Sequence, residues 1–258
     1  MIKKFKELYA YRQFLLTTVR KDFRGKYKKS FLGVLWSFIN PLLQLFVYAL
    51  VFPFIMRVQE ENYIMFLFVA LVPWNFFITS VTQCTNSIIV NSGIIKKVYF
   101  PREILPISIV TSGVINFLIS CIIIAAALII SGIGFSPCIA LLPLILIIQY
   151  IVTLAIGFVL SAITVYLRDL EYLINLLLML WMYLTPVLYP ITIIPENFRK
   201  YFYINPMTQV ISAYRDILYY QKMPDMQGLM LLFGISLVLI VPCYMLFKKL
   251  EKRFAEEL

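Results

Sequence analysis

KKVYFPREI, residues 96–104, sets three basic side chains, an acid and a proline between two long apolar runs. An island of this kind cuts a hydrophobic chain into separate segments. The flanking runs exceed the ~18 residues that read as a membrane-spanning helix. Working outward, apolar runs and charged connections keep alternating, and six spans are expected at about 31–56, 63–85, 104–131, 138–167, 172–190 and 229–247. Of the 258 residues 62% are hydrophobic and 14% charged. Soluble domains are roughly 45–50% apolar, so a soluble fold would leave too much apolar surface in water. The chain reads as an all-α, multi-pass membrane protein forming a single domain over 1–258.

Orientation follows from the basic residues. Eighteen of the 23 Lys and Arg fall on 1–30, 86–103, 168–171 and 248–258, and five on the alternate side. Cytoplasmic connections collect Lys and Arg, so both termini are expected in the cytoplasm. The net charge of +10 is then a topology signal, and nucleic acid is not an expected partner. MIKKFKELYAYRQ carries no apolar core or small-residue cleavage site and is not read as a signal peptide. Residues 1–30 are predicted to form an amphipathic interface helix before the six-span bundle (31–247) and the cytoplasmic tail (248–258). Phe5, Leu8, Tyr9, Leu15, Leu16, Val19 and Phe23 recur on one side. Lys3, Lys6, Gln13, Thr17, Lys21, Arg24 and Lys28 lie on the other, facing anionic lipid. A plain basic tail is the alternative. Pro73 and Pro242 fall inside spans and predict kinks.

Polar residues inside the spans follow helical spacing. Ser37, Asn40, Gln44 and Tyr48 share a face of the first span. Amides in hydrocarbon are costly without partners or water, so this face points to other helices or to a translocation path. Ser108, Ser112, Asn116 and Ser120 repeat the device in the third span, and Gln149, Thr153, Gly157 and Ser161 in the fourth. There the small residues favour close helix packing. The connection 191–228 is too long for an idle loop. Pro195 can open one short helix, and Asn205-Pro206 reads as a cap plus first-turn proline for a second. Two surface or re-entrant helices are expected between spans five and six.

Enzyme chemistry is missing. There is no histidine, no G-x-x-x-x-G-K-[ST] loop for ATP, and no G-x-S-x-G or H-E-x-x-H motif. The cysteines Cys84, Cys121, Cys138 and Cys243 stand singly in apolar runs and read as packing residues. The acids Glu103, Asp169 and Glu171 sit beside Arg102 or Arg168 and read as anchors. No cofactor or metal is expected in this chain, which reads as a transport subunit rather than an enzyme.

Six blocks carry a resemblance along nearly the whole chain: KDFRGKYKKSFLGVLWSFINPLLQLFVYALVF (21–52), VPWNFF (72–77), NSGIIKKVYFPREILPIS (91–108), YLRDLEYL (166–173), TPVLYP (185–190) and NPMTQVISAYRD (205–216). In this order the chain resembles membrane subunits of ABC-2-type exporters that move O antigen, capsule or teichoic acid polymers across the bacterial cytoplasmic (inner) membrane. The resemblance implies a cytoplasmic coupling helix at Asn86–Arg102, contacting a separate ABC ATPase that holds ATP and Mg through Ile94, Ile95, Lys96, Lys97, Tyr99 and Arg102. It implies a homodimer in membrane lipid with a lipid-linked polysaccharide path between spans one and five, lined by Trp36, Asn40, Gln44, Tyr48, Trp181 and Tyr183. It also implies gate helices carrying Pro195, Phe198, Asn205, Pro206, Tyr214 and Arg215. Two alternatives remain: an exporter of another amphipathic cargo, and a membrane-embedded glycosyltransferase, which would need essential carboxylates and no ATPase.

Overall fold

The computed structural model describes residues 9–25, 36–56 and 61–258, and among these the chain is helical with no strand. Expectations placed on residues 1–8, 26–35 and 57–60, including Lys3, Phe5, Lys6, Leu8 and Lys28, lie outside the described residues, as do the side chains of Arg24 and Ser37. The helices are α1 (Arg12–Gly25), α2 (Trp36–Met56), α3 (Tyr63–Val90), the single turn α4 (Ser92–Ile95) and α5 (Ile104–Ile130). A 3-10 turn, Pro137–Leu141, leads into α6 (Leu142–Thr164), followed by α7 (Leu170–Tyr183), α8 (Glu196–Phe202), α9 (Pro206–Leu218), α10 (Met226–Glu251) and the terminal turn α11 (Phe254–Glu257).

Among the described residues four helices are long and apolar enough to cross a membrane: α3, α5, α6 with its leading turn, and α10. Two shorter apolar stretches are Ile39–Val51 within α2 and the 14 residues of α7. At 1.5 Å per residue α7 rises about 21 Å, short of a ~30 Å hydrocarbon core. The fifth expected span, 172–190, is therefore helical only to Tyr183. Pro186 and Pro190 explain the stop, because proline lacks the donor a helix needs and disfavours helical backbone in the residue before it. The helices run without interruption through Pro73 and Pro242.

α3 is the central helix, packed by α2, α5, α6, α7 and α9, and most of its side chains are buried. Its neighbours come close where they carry small residues. A Cβ on Gly113 of α5 would lie 2.4 Å from Ser80 Oγ and 2.9 Å from Phe76 Cε2. A Cβ on Gly157 of α6 would lie 3.0 Å from Cys84 Sγ. Ser108, Ser112, Gln149, Thr153 and Ser161 are fully buried, in line with the packing reading of the third and fourth spans. Gln149 Nε2 donates to the carbonyl of Pro73 at 2.7 Å. All four cysteines are free, and Cys84 fills the contact with Gly157.

Gly113→Ala is accordingly expected to destabilise the protein by about 1–3 kcal/mol, the usual effect of overpacking. Adding Ser80→Ala removes the nearest atom and should recover part of the loss. Thermal unfolding in detergent reads both, and an unchanged midpoint for Gly113→Ala would contradict so close an approach of α3 and α5.

α1 docks on protein as well as facing outward. Thr18 and Val19 are buried, the ring of Phe14 lies 4.9 Å from that of Phe100, and Asp22 Oδ2 accepts from Ser108 Oγ at 2.9 Å. Thr17 and Lys21 are exposed on the other side. Of the expected apolar face Val19 docks near the start of α5, while Tyr9 and Leu16 stay exposed, so the docked face is only part of the amphipathic pattern.

Candidate functional site

A polar groove of about 460 Å³ opens between α2, α3 and α5, within the ~300–1,000 Å³ usual for ligand sites. α2 contributes Trp36, Asn40 and Gln44. α3 contributes Asn75, Thr79 and Gln83, and α5 contributes Asn116 and Ser120. Gln44 is held on both sides: its Oε1 accepts from Asn75 Nδ2 at 2.9 Å and its Nε2 donates to the hydroxyl of Tyr48 at 3.3 Å. Among the described residues the lining carries no ionisable side chain. It offers amide and hydroxyl donors and acceptors beside the rings of Trp36, Phe76 and Phe117. Such a surface hydrogen-bonds a hydroxyl-rich solute without the trapping effect of a fixed charge.

The expected path residues separate into two groups. Trp36, Asn40 and Gln44 share the groove, with Tyr48 bonded to Gln44. Trp181 instead packs edge-on to Phe77 and donates to Asn205 Oδ1 at 3.0 Å, and Tyr183 lies exposed at the end of α7. Within one chain the structure does not bring these two to the groove. Asn75, Thr79 and Gln83 were not foreseen, although their four-residue spacing in the second span is a readable signal.

In place of the helix implied for Asn86–Arg102, residues 86–90 continue α3 and Ser92–Ile95 form a single turn. The charged island is a projecting non-helical loop, because Pro101 and the run of charges do not continue a helix. Lys96, Lys97, Val98 and Tyr99 are exposed, Tyr99 to 80%, while Ile95 and Phe100 are buried beneath them and Ile94 is exposed at its edge. The loop is tied at both flanks. Lys21 of α1 donates to Asn91 Oδ1 at 3.3 Å, and Phe14 packs on Phe100. On the other flank, Arg102 Nη1 donates to the carbonyl of Glu251, and its guanidinium lies 5.8 Å from the Phe254 ring.

Behind the loop lies an ionic cluster. Glu103 is 1% exposed, and its carboxylate accepts from Lys248 Nζ and, at 3.1 Å, from the Tyr244 hydroxyl. Lys248 also reaches Glu251 Oε2 at 2.6 Å. The expected pairing of Glu103 with Arg102 is thus replaced by a pairing with the last span, because burial at the start of α5 turns Glu103 toward α10. Among the described residues Arg168 forms no ion pair with Asp169 or Glu171.

At the other end of the bundle, Thr185–Tyr189 runs without helical structure yet is largely buried. Non-helical backbone at membrane depth is tolerated only when its polar groups are satisfied within the protein. Here Arg215 of α9 performs that task. It is 4% exposed, and its guanidinium donates to the carbonyls of Pro186, Val187 and, at 3.3 Å, Tyr189, with its face 3.6 Å from the Phe66 ring centroid. The Tyr63 hydroxyl donates to the Leu188 carbonyl at 2.7 Å. Asn205 caps α9 by accepting from Met207 N at 3.0 Å, while its Nδ2 donates to Thr185 Oγ1 at 2.8 Å. Pro206 takes the first helical position. Tyr214 is buried against Phe117. Pro195 precedes α8, on which Phe198 is exposed. The two short helices expected between spans five and six are therefore present, and α9 is the anchor of the broken segment.

A family model described as ABC-2 type transporter matches residues 13–219. The O-antigen export system permease protein RfbA of Myxococcus xanthus is 36% identical over 264 aligned residues, covering the whole of both chains. A Klebsiella pneumoniae protein of the same name is 37% identical over 245 residues, covering 94% of this chain and 93% of that one.

Proposed function

The chain belongs to the ABC-2 type transporter family, and we propose that it is the membrane permease of an exporter for a lipid-linked polysaccharide. The cargo class rests on the uncharged polar groove of α2, α3 and α5, whose amides and hydroxyls suit a sugar chain, and agrees with the relatives being O-antigen export permeases by name. Energy comes from a separate ATPase that holds ATP and Mg, since no nucleotide-binding loop occurs in the sequence. The loop Lys96–Arg102 is the contact for that subunit: its upper residues are exposed and its flanks are tied to α1 and to the chain end, so a push on the loop reaches α5 and α10. A second copy of the chain completes the path. The apolar faces of α2 (Leu43, Phe46, Leu50) and α7 (Tyr172, Leu176, Tyr183) are exposed for such packing. The basic-residue bias supports cytoplasmic termini, and the family likeness supports the cytoplasmic membrane as the protein's place.

Cells lacking this chain, complemented with the wild type or with Lys96–Arg102 replaced by a Gly/Ser linker, test the proposal. The wild type is expected to restore polysaccharide at the cell surface and to co-purify a P-loop ATPase in one-to-one ratio. The linker variant should insert normally yet lose both. Retained ATPase in the linker variant would refute the coupling role. Surface polymer unaffected by loss of the chain would refute the cargo and favour another amphipathic substrate.

A further inference from the structure

A second cavity, of about 690 Å³, lies between α6, α8, α9 and α10 and shares no lining residue with the polar groove. Its walls are apolar, with Val152 and Ile156 on one side and Leu231 and Leu239 on the other. Along α10 it runs from Leu231 to Cys243, about 18 Å at the helical rise. One leaflet of a ~30 Å hydrocarbon core is about 15 Å deep, so the length matches a single acyl chain of one leaflet. The mouth lies beside the start of α10, at the end of the bundle remote from Glu251 and α11.

Three side chains frame that mouth: Lys200, Tyr203 and Gln209. Lys200 is exposed and forms no ion pair among the described residues. The charges around it are already engaged. Arg199 bonds the carbonyls of Ile194 and Thr192 and pairs with Glu196. Asp216 pairs with Lys222 at 3.3 Å, and Asp225 caps α10 through Gln227 N and Gly228 N. Gln209 donates to the Tyr203 carbonyl at 2.9 Å, yet its Oε1 is buried with no partner among the described residues. The mouth therefore presents the cation of Lys200, exposed and 5.3 Å from the Tyr201 ring centroid, above an apolar slot.

We propose that this cavity is a binding site for an anionic phospholipid of the leaflet remote from the chain termini, with one acyl chain between α6 and α10 and its phosphate on Lys200. Occupation fills the space between α10 and the α8–α9 pair, so the lipid braces the broken segment from outside. The site goes beyond the export reading and does not depend on the cargo.

The test uses the purified full-length protein in nanodiscs of phosphatidylcholine with a minority of phosphatidylglycerol, each lipid in turn carrying a mid-chain diazirine, and maps the photolabelled peptides. Label is expected on 152–160 and 231–243, with phosphatidylglycerol favoured. Lys200→Gln should lower that preference about fivefold, the factor for one cation at an anionic surface. Leu239→Trp, at a partly exposed wall position, should abolish wall labelling by both lipids. Label spread equally onto the outward positions Ile122 and Ile129 of α5 would overturn the proposal. So would an unchanged lipid preference in Lys200→Gln, or walls that cross-link to a second copy of the chain. None of these readouts measures export, so this site and the cargo assignment fail separately.

Discussion

Arg215→Met is expected to strip most folded protein from the membrane. The wild-type guanidinium satisfies three carbonyls of the non-helical Pro186–Tyr189 stretch and lies over Phe66. Methionine keeps the apolar stem but removes every donor. A buried carbonyl left without a partner costs about 1–3 kcal/mol, and these carbonyls have no water to turn to. Because the stretch can relax in part, the net loss should be about 3–5 kcal/mol, the scale seen when a buried ionic contact loses one member. Arg215→Lys separates charge from geometry. An ammonium keeps the cation but cannot span the fork of acceptors, so an intermediate loss is expected. Thermal midpoints in detergent, together with protein abundance in membranes, read the series. A Met variant as stable as the wild type would show that the stretch is held by other contacts.

Lys248→Met should produce a loss of similar size at the opposite end. It strands the Glu103 carboxylate, 1% exposed, with the Tyr244 hydroxyl as its remaining side-chain partner among the described residues. Glu103→Gln is expected to be milder, because Lys248 retains Glu251 at 2.6 Å. Combining the two removes both charges, and replacing a buried pair by neutral groups is often close to neutral. The double variant should therefore recover at least half of the Lys248→Met loss, giving a coupling energy of about 1–3 kcal/mol. Strict additivity would deny a direct pairing. Stability is the first readout and polymer export the second: if the cluster ties the loop to α10, the double variant regains stability more fully than export.

Much of the architecture was legible because hydrocarbon imposes simple rules on a chain. Apolar runs with basic connections marked the helices. The Asn205-Pro206 cap and the period from Met207 to Leu218 marked α9, whereas the helix expected over Asn86–Arg102 is reduced to the turn Ser92–Ile95 and an exposed loop. Half of the groove was legible from Asn40 and Gln44. Its other half, on α3, carried the same four-residue spacing at Asn75, Thr79 and Gln83 and was passed over within an apolar run. Arg215 was named for the gate by resemblance, yet its task was not, since its acceptors lie 26 to 29 residues upstream.

Composition, spacing and charge were enough to establish an all-helical membrane chain, a basic connection at 96–102 and two short helices before the last span. These are local properties, set by transfer of side chains and backbone between water and hydrocarbon. Which helix neighbours which was decided only by the tertiary structure. Glu103 meets Lys248, Arg215 closes over Pro186–Tyr189, and α2, α3 and α5 converge on one groove because the small residues at Gly113 and Gly157 let α5 and α6 close on α3. Those pairings depend on the rotation and depth of each helix relative to the others, and no single segment of sequence encodes them.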